Sequence, residues 1–338
     1  MRQPNFDELR RVLDRREATR PTLFEFFLND KLYAHLLGRA QMPAGRDPER
    51  LGQLIRAFAL AGYDYVTLIP STLNFPTREA QHGQRSRSMN ETAVISDRAS
   101  FAAYPWQDPG QADYSILDRA AAALPQGMKV IVYGPNGVLE NVMALAGYEG
   151  LCFLLADDPP LAQDLFDAVG SRLLRMYEKA LPHSAVGAAI VNDDWGFATQ
   201  TMLSPEQMRQ YVFPWHRKMV QAIHAAGRPA ILHSCGQLET VMDEIIDDLK
   251  FDGKHSYEDK ILPVEQAYER WGRRIAILGG IDLDFVCRGQ PAAITARSRA
   301  MLQRARGRGS YALGTGNSVP DYVPWANYFA MTQAALQS

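Results

Sequence analysis

The chain is poor in the features that would tie it to a specialised class. Its three cysteines among 338 residues, Cys152, Cys235 and Cys287, include no CxxC pair, which excludes a disulfide framework. No apolar run reaches the ~18 residues that span a bilayer. The polar start "MRQPNFDELRRVLDRRE" reads as helix and not as a secretion signal, so an untargeted cytoplasmic protein away from the membrane is expected. A net charge of −2 without basic blocks gives nucleic acid no footing. No GxGxxG follows any apolar run, so the usual phosphate-binding signature of a doubly wound sheet is missing.

What the chain does have is a rhythm. With 46% hydrophobic residues it can bury a large core, and short β-rich runs recur along it. They are "PTLFEF" (Pro21 to Phe26), "DYVTLI" (Asp64 to Ile69), "KVIVY" (Lys129 to Tyr133), "VGAAIVN" (Val186 to Asn192), "PAILH" (Pro229 to His233), "FDGKHS" (Phe251 to Ser256), "RIAILGG" (Arg274 to Gly280) and "SYALGTG" (Ser310 to Gly316). Helix-patterned stretches separate most of them, one opening on a Ser-x-x-Gln capping box at Ser204 and Gln207 and closing on Gly227. Eight such repeats predict a single (β/α)8 barrel over residues 1–338. One gap is too long for an ordinary loop: residues 70–126, after the second run, read as a lid-like insertion or as a solvated one.

In such a barrel chemistry sits at the carboxyl ends of the strands. The third run leads to Tyr133 and Asn136, the fourth to Asp193, Asp194 and Trp195, the fifth to His233 and Cys235. The sixth delivers His255, Tyr257, Glu258 and Asp259, the seventh Asp282, and the eighth Thr315, Asn317 and Ser318. Extended backbone turns residues i and i+2 to one face, so the His-x-Cys of "ILHSCGQL" can aim an imidazole nitrogen and a sulfur at one point. Zinc accepts that donor pair, and Glu258, or alternatively His255, would come from the next strand end. Tyr133, Asn136, Trp195 and Asn317 stand as candidates for binding a small-molecule substrate. Asp193, Asp194 and Asp282 are candidate acid–base or positioning groups, with loop capping as the alternative for each. Cys152 and Cys287 fall in apolar helix patterns and read as core.

The stretches "MVQAIHAAGRPAILHSCGQL", "RIAILGGIDLDFVCRG" and "GTGNSVPDYVPWANY" resemble the uroporphyrinogen decarboxylase-like superfamily, which includes corrinoid-linked methyltransferases. The resemblance covers most of the chain from about Leu151 onward. It implies a barrel with its pocket at the carboxyl face, zinc on His233 and Cys235, and a glutamate ligand matched by Glu258. True decarboxylases of this group carry M-R-Q-A-G-R after the first strand and a following F-S-D; here "FFLNDKLYAHLLG" and "LIPSTLNFP" stand in those places. Without those arginines the carboxylates of a porphyrinogen lack their partners. The resemblance therefore leans to the methyltransferase branch, although its usual cysteine after the eighth strand is replaced by "GTGNS". It implies methyl transfer between a methyl ether or thiol and a corrinoid carried by a partner protein. A metal-free lyase and a non-catalytic small-molecule-binding relative are the other readings.

Overall fold

The computed structural model describes residues 2–45, 47–77 and 93–337. Seven strands pair in parallel, in chain order, into one sheet: β1 (Tyr65–Leu68), β2 (Lys129–Tyr133), β3 (Val186–Asn192), β4 (Ala230–His233), β5 (Gly253–His255), β6 (Ala276–Leu278) and β7 (Tyr311–Ala312). Unbroken sequential order requires a crossover of the same hand at every step, which stacks the helices on one side while strand twist curls the sheet away from them. Both faces are thereby covered. All seven residues of β3 are buried, as are all four of β1 and of β4, so these strands read as continuous apolar runs without alternation.

The first expected strand departs from the pattern. Pro21–Phe26 joins the sheet through a single parallel bridge, Leu23 to Leu313, with Phe24 N donating to Leu313 O and Leu313 N to Thr22 O. On its other side no backbone ladder to β1 forms. The Tyr65 hydroxyl instead receives Glu25 N and donates to Glu25 O, both at 2.7 Å, and Thr67 Oγ1 donates to Phe26 O. Side chains of β1 thus occupy the hydrogen-bonding groups that an eighth strand would pair, and among the described residues the parallel sheet has seven strands rather than the eight expected.

Outside the sheet, helix Pro159–Ala180 packs on helix Phe213–Ala225, and helix Pro291–Ala305 packs on Trp325–Leu336. The Ser204 capping box is formed, with Gln207 N donating to Ser204 Oγ and Ser204 N to Gln207 Oε1. In the 70–126 stretch, residues 78–92 lie outside the described residues. The described remainder carries helices Arg98–Ala103 and Ser115–Ala123. It is tied to the flank of helix Pro159–Ala180: Arg98 pairs with Asp158 at 2.9 Å, and Arg172 donates to Gln107 O while lying 4.7 Å over the Trp106 ring. Among the described residues no single helix is long and apolar enough to cross a membrane.

Candidate metal centre

Register builds the site. Asn192 on β3 pairs with His233 on β4, and His233 pairs with His255 on β5, so the strand ends lie level. Two residues further on, Asp194 and Cys235 are again neighbours, and Cys235 N donates to Asp194 Oδ1 at 2.9 Å. One donor atom each from Asp194, His233 and Cys235 lies within 4.8 Å of the others, with His233 Nε2 4.0 Å from Cys235 Sγ. Tetrahedral zinc with one nitrogen and one sulfur ligand sets those two atoms ~3.6 Å apart, so a small closing movement suffices. A carboxylate, an imidazole and a thiolate are donors that suit this ion, and three protein ligands leave one position for a reactant.

The loop after β4 depends on Gly236. Its φ is +89°, and a Cβ there would stand 2.1 Å from Gly196 O on the loop after β3. Only glycine lets the two loops meet closely enough to bring Cys235 against Asp194. The sulfur is then held from two more sides, by Asn317 Nδ2 at 3.3 Å and Ser256 Oγ at 3.4 Å. Burial pushes the metal-free thiol up to about 12, and the nearby Asp194 charge adds to this, while Ser256 and Lys254 oppose it. Lys254 is fully buried; its Nζ donates to Ser256 O at 2.8 Å and Ser234 O at 3.4 Å, and it lies 4.5 Å over the Tyr257 ring. Burial also depresses both imidazoles, His255 to about 3 and His233 well below its usual value, so each ring is neutral.

Residues 106–337 match the family described as uroporphyrinogen decarboxylase (URO-D). The chain belongs to this family. Among curated relatives, the methylated-thiol–coenzyme M methyltransferase of Methanosarcina mazei is 27% identical over 195 residues, 57% of this chain and 49% of that protein. The match thus spans about half the length of the curated relative. Among solved structures, a methyltransferase from Methanosarcina mazei superposes with a TM-score of 0.70 over 98% of this chain and 97% of the other, at 15% identity, so the fold is shared.

Relative to what the sequence leads one to expect, the structure redistributes several residues. Glu258, expected as the third ligand, is not in the donor group. β5 stops at His255, and Glu258 sits in the turn beyond, its carbonyl accepting from Ile261 N and Leu262 N, where it lines a cavity of about 30 Å³ with Lys254, Tyr257 and Trp271. Asp194 stands in the place expected for it. His255, the alternative ligand, has both ring nitrogens engaged, Nδ1 with His233 Nδ1 at 2.8 Å and Nε2 with Thr315 O at 3.3 Å.

Asp193 is fully buried and turned away from Cys235. Its two oxygens accept from Leu139 N and Glu140 N, capping a helix (Val138–Ala146) that starts at Gly137 without a side-chain cap of its own; His216 Nε2 lies 3.3 Å away. A Cβ at Gly137 would stand 2.2 Å from Asp193 Cβ, so glycine there admits the carboxylate. Asp282 likewise caps, accepting from Phe285 N and Asp259 N, both at 2.9 Å. Trp195, expected at the substrate, is fully buried edge-on to His216. Tyr133 does reach the site's wall, packed 4.8 Å from Phe26, which in turn lies 4.6 Å from His233. Asn136 is exposed at a φ of +62° in the turn before Gly137. Cys152, expected in the core, is exposed, and Cys287 is half-buried.

Sequence reasoning missed Glu25. This fully buried carboxyl group receives Thr315 N at Oε1 and has Thr315 Oγ1 at Oε2, each at 2.7 Å, and Thr315 Oγ1 also contacts Asn317 O. It therefore fixes the loop that presents Asn317 to the Cys235 sulfur. A lone acid inside the apolar "TLFEFF" was the signal.

Proposed function

We propose that this chain is a zinc-dependent methyltransferase that moves a methyl group between a small methyl ether or thiol and a corrinoid carried by a partner protein, in the cytoplasm. The observation that carries the reading is the convergence of a carboxylate, an imidazole and a thiol at two adjacent strand ends. The methyltransferase likeness of half a relative's length supports the reaction class. In the same reading the Pro21–Phe26 segment closes the curled sheet into a (β/α)8 barrel, and the described parts of the insertion after β1, 70–77 and 93–126, belong to a lid over its mouth.

Asp194, His233 and Cys235 would hold the ion. When bound, zinc supplies a Lewis acid that keeps a thiol deprotonated or polarises an ether oxygen. The chain's own side chains do the rest. Asn317 and Ser256 donate to the Cys235 sulfur and spread its charge, and Lys254 places a cation behind it. Phe26 and Tyr133 form an apolar wall that keeps water from a methyl group. Asn136 and Asn317 offer amides at the rim for the substrate's polar end. Asp193 and Asp282 hold the loops that carry the site. Decarboxylation of an acidic porphyrinogen would need free cations here; Arg50 is taken by Asp30 and Lys254 by backbone carbonyls.

The test is metal content and turnover in the same preparations. Protein purified without chelator is expected to carry about one zinc per chain, with retention lost in Asp194→Ala, His233→Ala and Cys235→Ala. Offered cob(I)alamin with methoxylated aromatics or methylated thiols, the wild type should change the corrinoid's visible spectrum; offered uroporphyrinogen, it should form no decarboxylated porphyrin. Metal-free wild type, unaltered retention in all three variants, or efficient decarboxylation would overturn the reading.

A further inference from the structure

His255 is the residue whose position the metal-site reading leaves unexplained. It is fully buried, sits level with His233 across the β4–β5 pair, and meets it nitrogen to nitrogen, Nδ1 to Nδ1, at 2.8 Å. Two neutral rings at that distance need one N–H and one lone pair, and which ring donates decides what His233 can do with its other nitrogen. We infer that His255 is a positioning residue that fixes the tautomer of His233, holding its Nε2 unprotonated toward Cys235 and Asp194. The inference deepens the metal-site reading and rests on it for its purpose.

The direction of the relay follows from the far end. His255 Nε2 lies 3.3 Å from Thr315 O, and a carbonyl can only accept, so the His255 proton is on Nε2. A neutral imidazole has one N–H; His255 Nδ1 is therefore a lone pair, and His233 Nδ1 donates to it. That leaves His233 Nε2 bare, 4.0 Å from the Cys235 sulfur. The opposite arrangement would set a lone pair of His255 against the Thr315 carbonyl in a buried place and put a hydrogen on the coordinating nitrogen of His233. Both effects oppose it.

The relay is anchored and its rings are held. Thr315 is fixed through its amide and hydroxyl to Glu25, and its carbonyl also receives Gly280 N at 2.8 Å. Phe24 meets His255 edge-on at 5.2 Å, and Phe26 lies 4.6 Å from His233. A carboxylate in the place of His255 would also accept from His233 Nδ1. It would add a negative charge to a centre that already has Asp194 and Cys235. A neutral imidazole orients the ligand without changing the sum, since one carboxylate and one thiolate balance a divalent ion.

Full-length, metal-free protein labelled with 15N at histidine tests the inference by long-range ¹H–¹⁵N correlation, without reference to turnover. The wild type is expected to show His233 protonated at Nδ1 and His255 at Nε2. His255→Gln keeps an acceptor toward His233 and a donor toward Thr315, so it should retain the tautomer and hold zinc within about 3-fold of wild type in competition with a chromophoric chelator. His255→Leu removes the acceptor; His233 should turn partly or wholly to Nε2–H, and zinc should bind about 10–100-fold more weakly. His233 protonated at Nε2 in the metal-free wild type, or a Leu variant with wild-type tautomer and affinity, would overturn the inference. A wild type with the expected tautomer that binds no zinc would sink the metal reading and leave the relay standing. The wild-type spectrum decides the tautomer even if the Leu variant does not fold.

Discussion

Glu25 makes the stability of this protein depend on pH in a calculable direction. Burial raises its carboxyl from 4.5 to about 8, against the opposing hydrogen bonds from Thr315. The hydrogen-bond geometry agrees. Thr315 Oγ1 has one hydrogen and touches both Asn317 O, which can only accept, and Glu25 Oε2. A neutral Glu25 donating to Oγ1 satisfies all three atoms. The unfolded chain releases this proton near 4.5 while the native chain keeps it to about 8. Between those values the native state binds more protons, so stability falls as pH rises and levels off above the native value. At ~1.36 kcal/mol per pKa unit the span corresponds to ~5 kcal/mol, an upper bound that relaxation and water entry reduce to about half. Glu25→Gln mimics the neutral acid, its carbonyl accepting Thr315 N and its amide donating to Thr315 Oγ1. Guanidinium unfolding of both proteins between pH 5 and 9 isolates the effect, because the other titrating groups cancel in the difference. The wild type should lose ~2–5 kcal/mol more than the variant across that range. Parallel pH profiles would refute a neutral Glu25.

Two further substitutions probe the site loops. Gly236→Ala forces a Cβ to within 2.1 Å of Gly196 O at a φ of +89°; unfolding should show a loss of about 2–4 kcal/mol, and zinc retention should fall with it as Cys235 moves from Asp194. Asn317→Cys puts a sulfur where an amide now lies 3.3 Å from Cys235 Sγ; chelator competition should show zinc bound about 10-fold more tightly, and weaker binding would show that the loop after β7 cannot reach the ion.

The legible parts of this chain are those set by local rules. Strands such as Val186–Asn192 announce themselves because both faces are covered and every residue is apolar or small until the end. The Ser204 capping box is complete within four residues. His233 and Cys235 share a face because extended backbone has a period of two. The illegible parts of the site depend on register between strands joined by long crossovers, which no local pattern fixes. Asp194 and Glu258 were equally placed in the sequence, each just beyond a strand neighbouring β4. The pairing of Asn192 with His233 carries Asp194 to Cys235 two residues on, whereas β5 ends level with His233 and spends Glu258 on the next turn.

Register also separates the acid that caps a helix from the acid that faces the thiol. Asp193 and Asp194 are adjacent, and alternation sends their side chains to opposite sides of the chain. One meets the bare amides of Leu139 and Glu140, the other the amide of Cys235. Nothing in "NDDWG" says which is which, because Leu139, whose amide needs the cap, lies 54 residues before the aspartate that supplies it. Once the sheet is assembled, the choice is forced: a helix start without its own cap draws one carboxylate to the outside, and the neighbouring residue is left facing the thiol. The capping acid therefore also sets the orientation of the one that faces the thiol, and the two cannot be exchanged by moving the pair one position along the strand without uncovering the helix and emptying the site together.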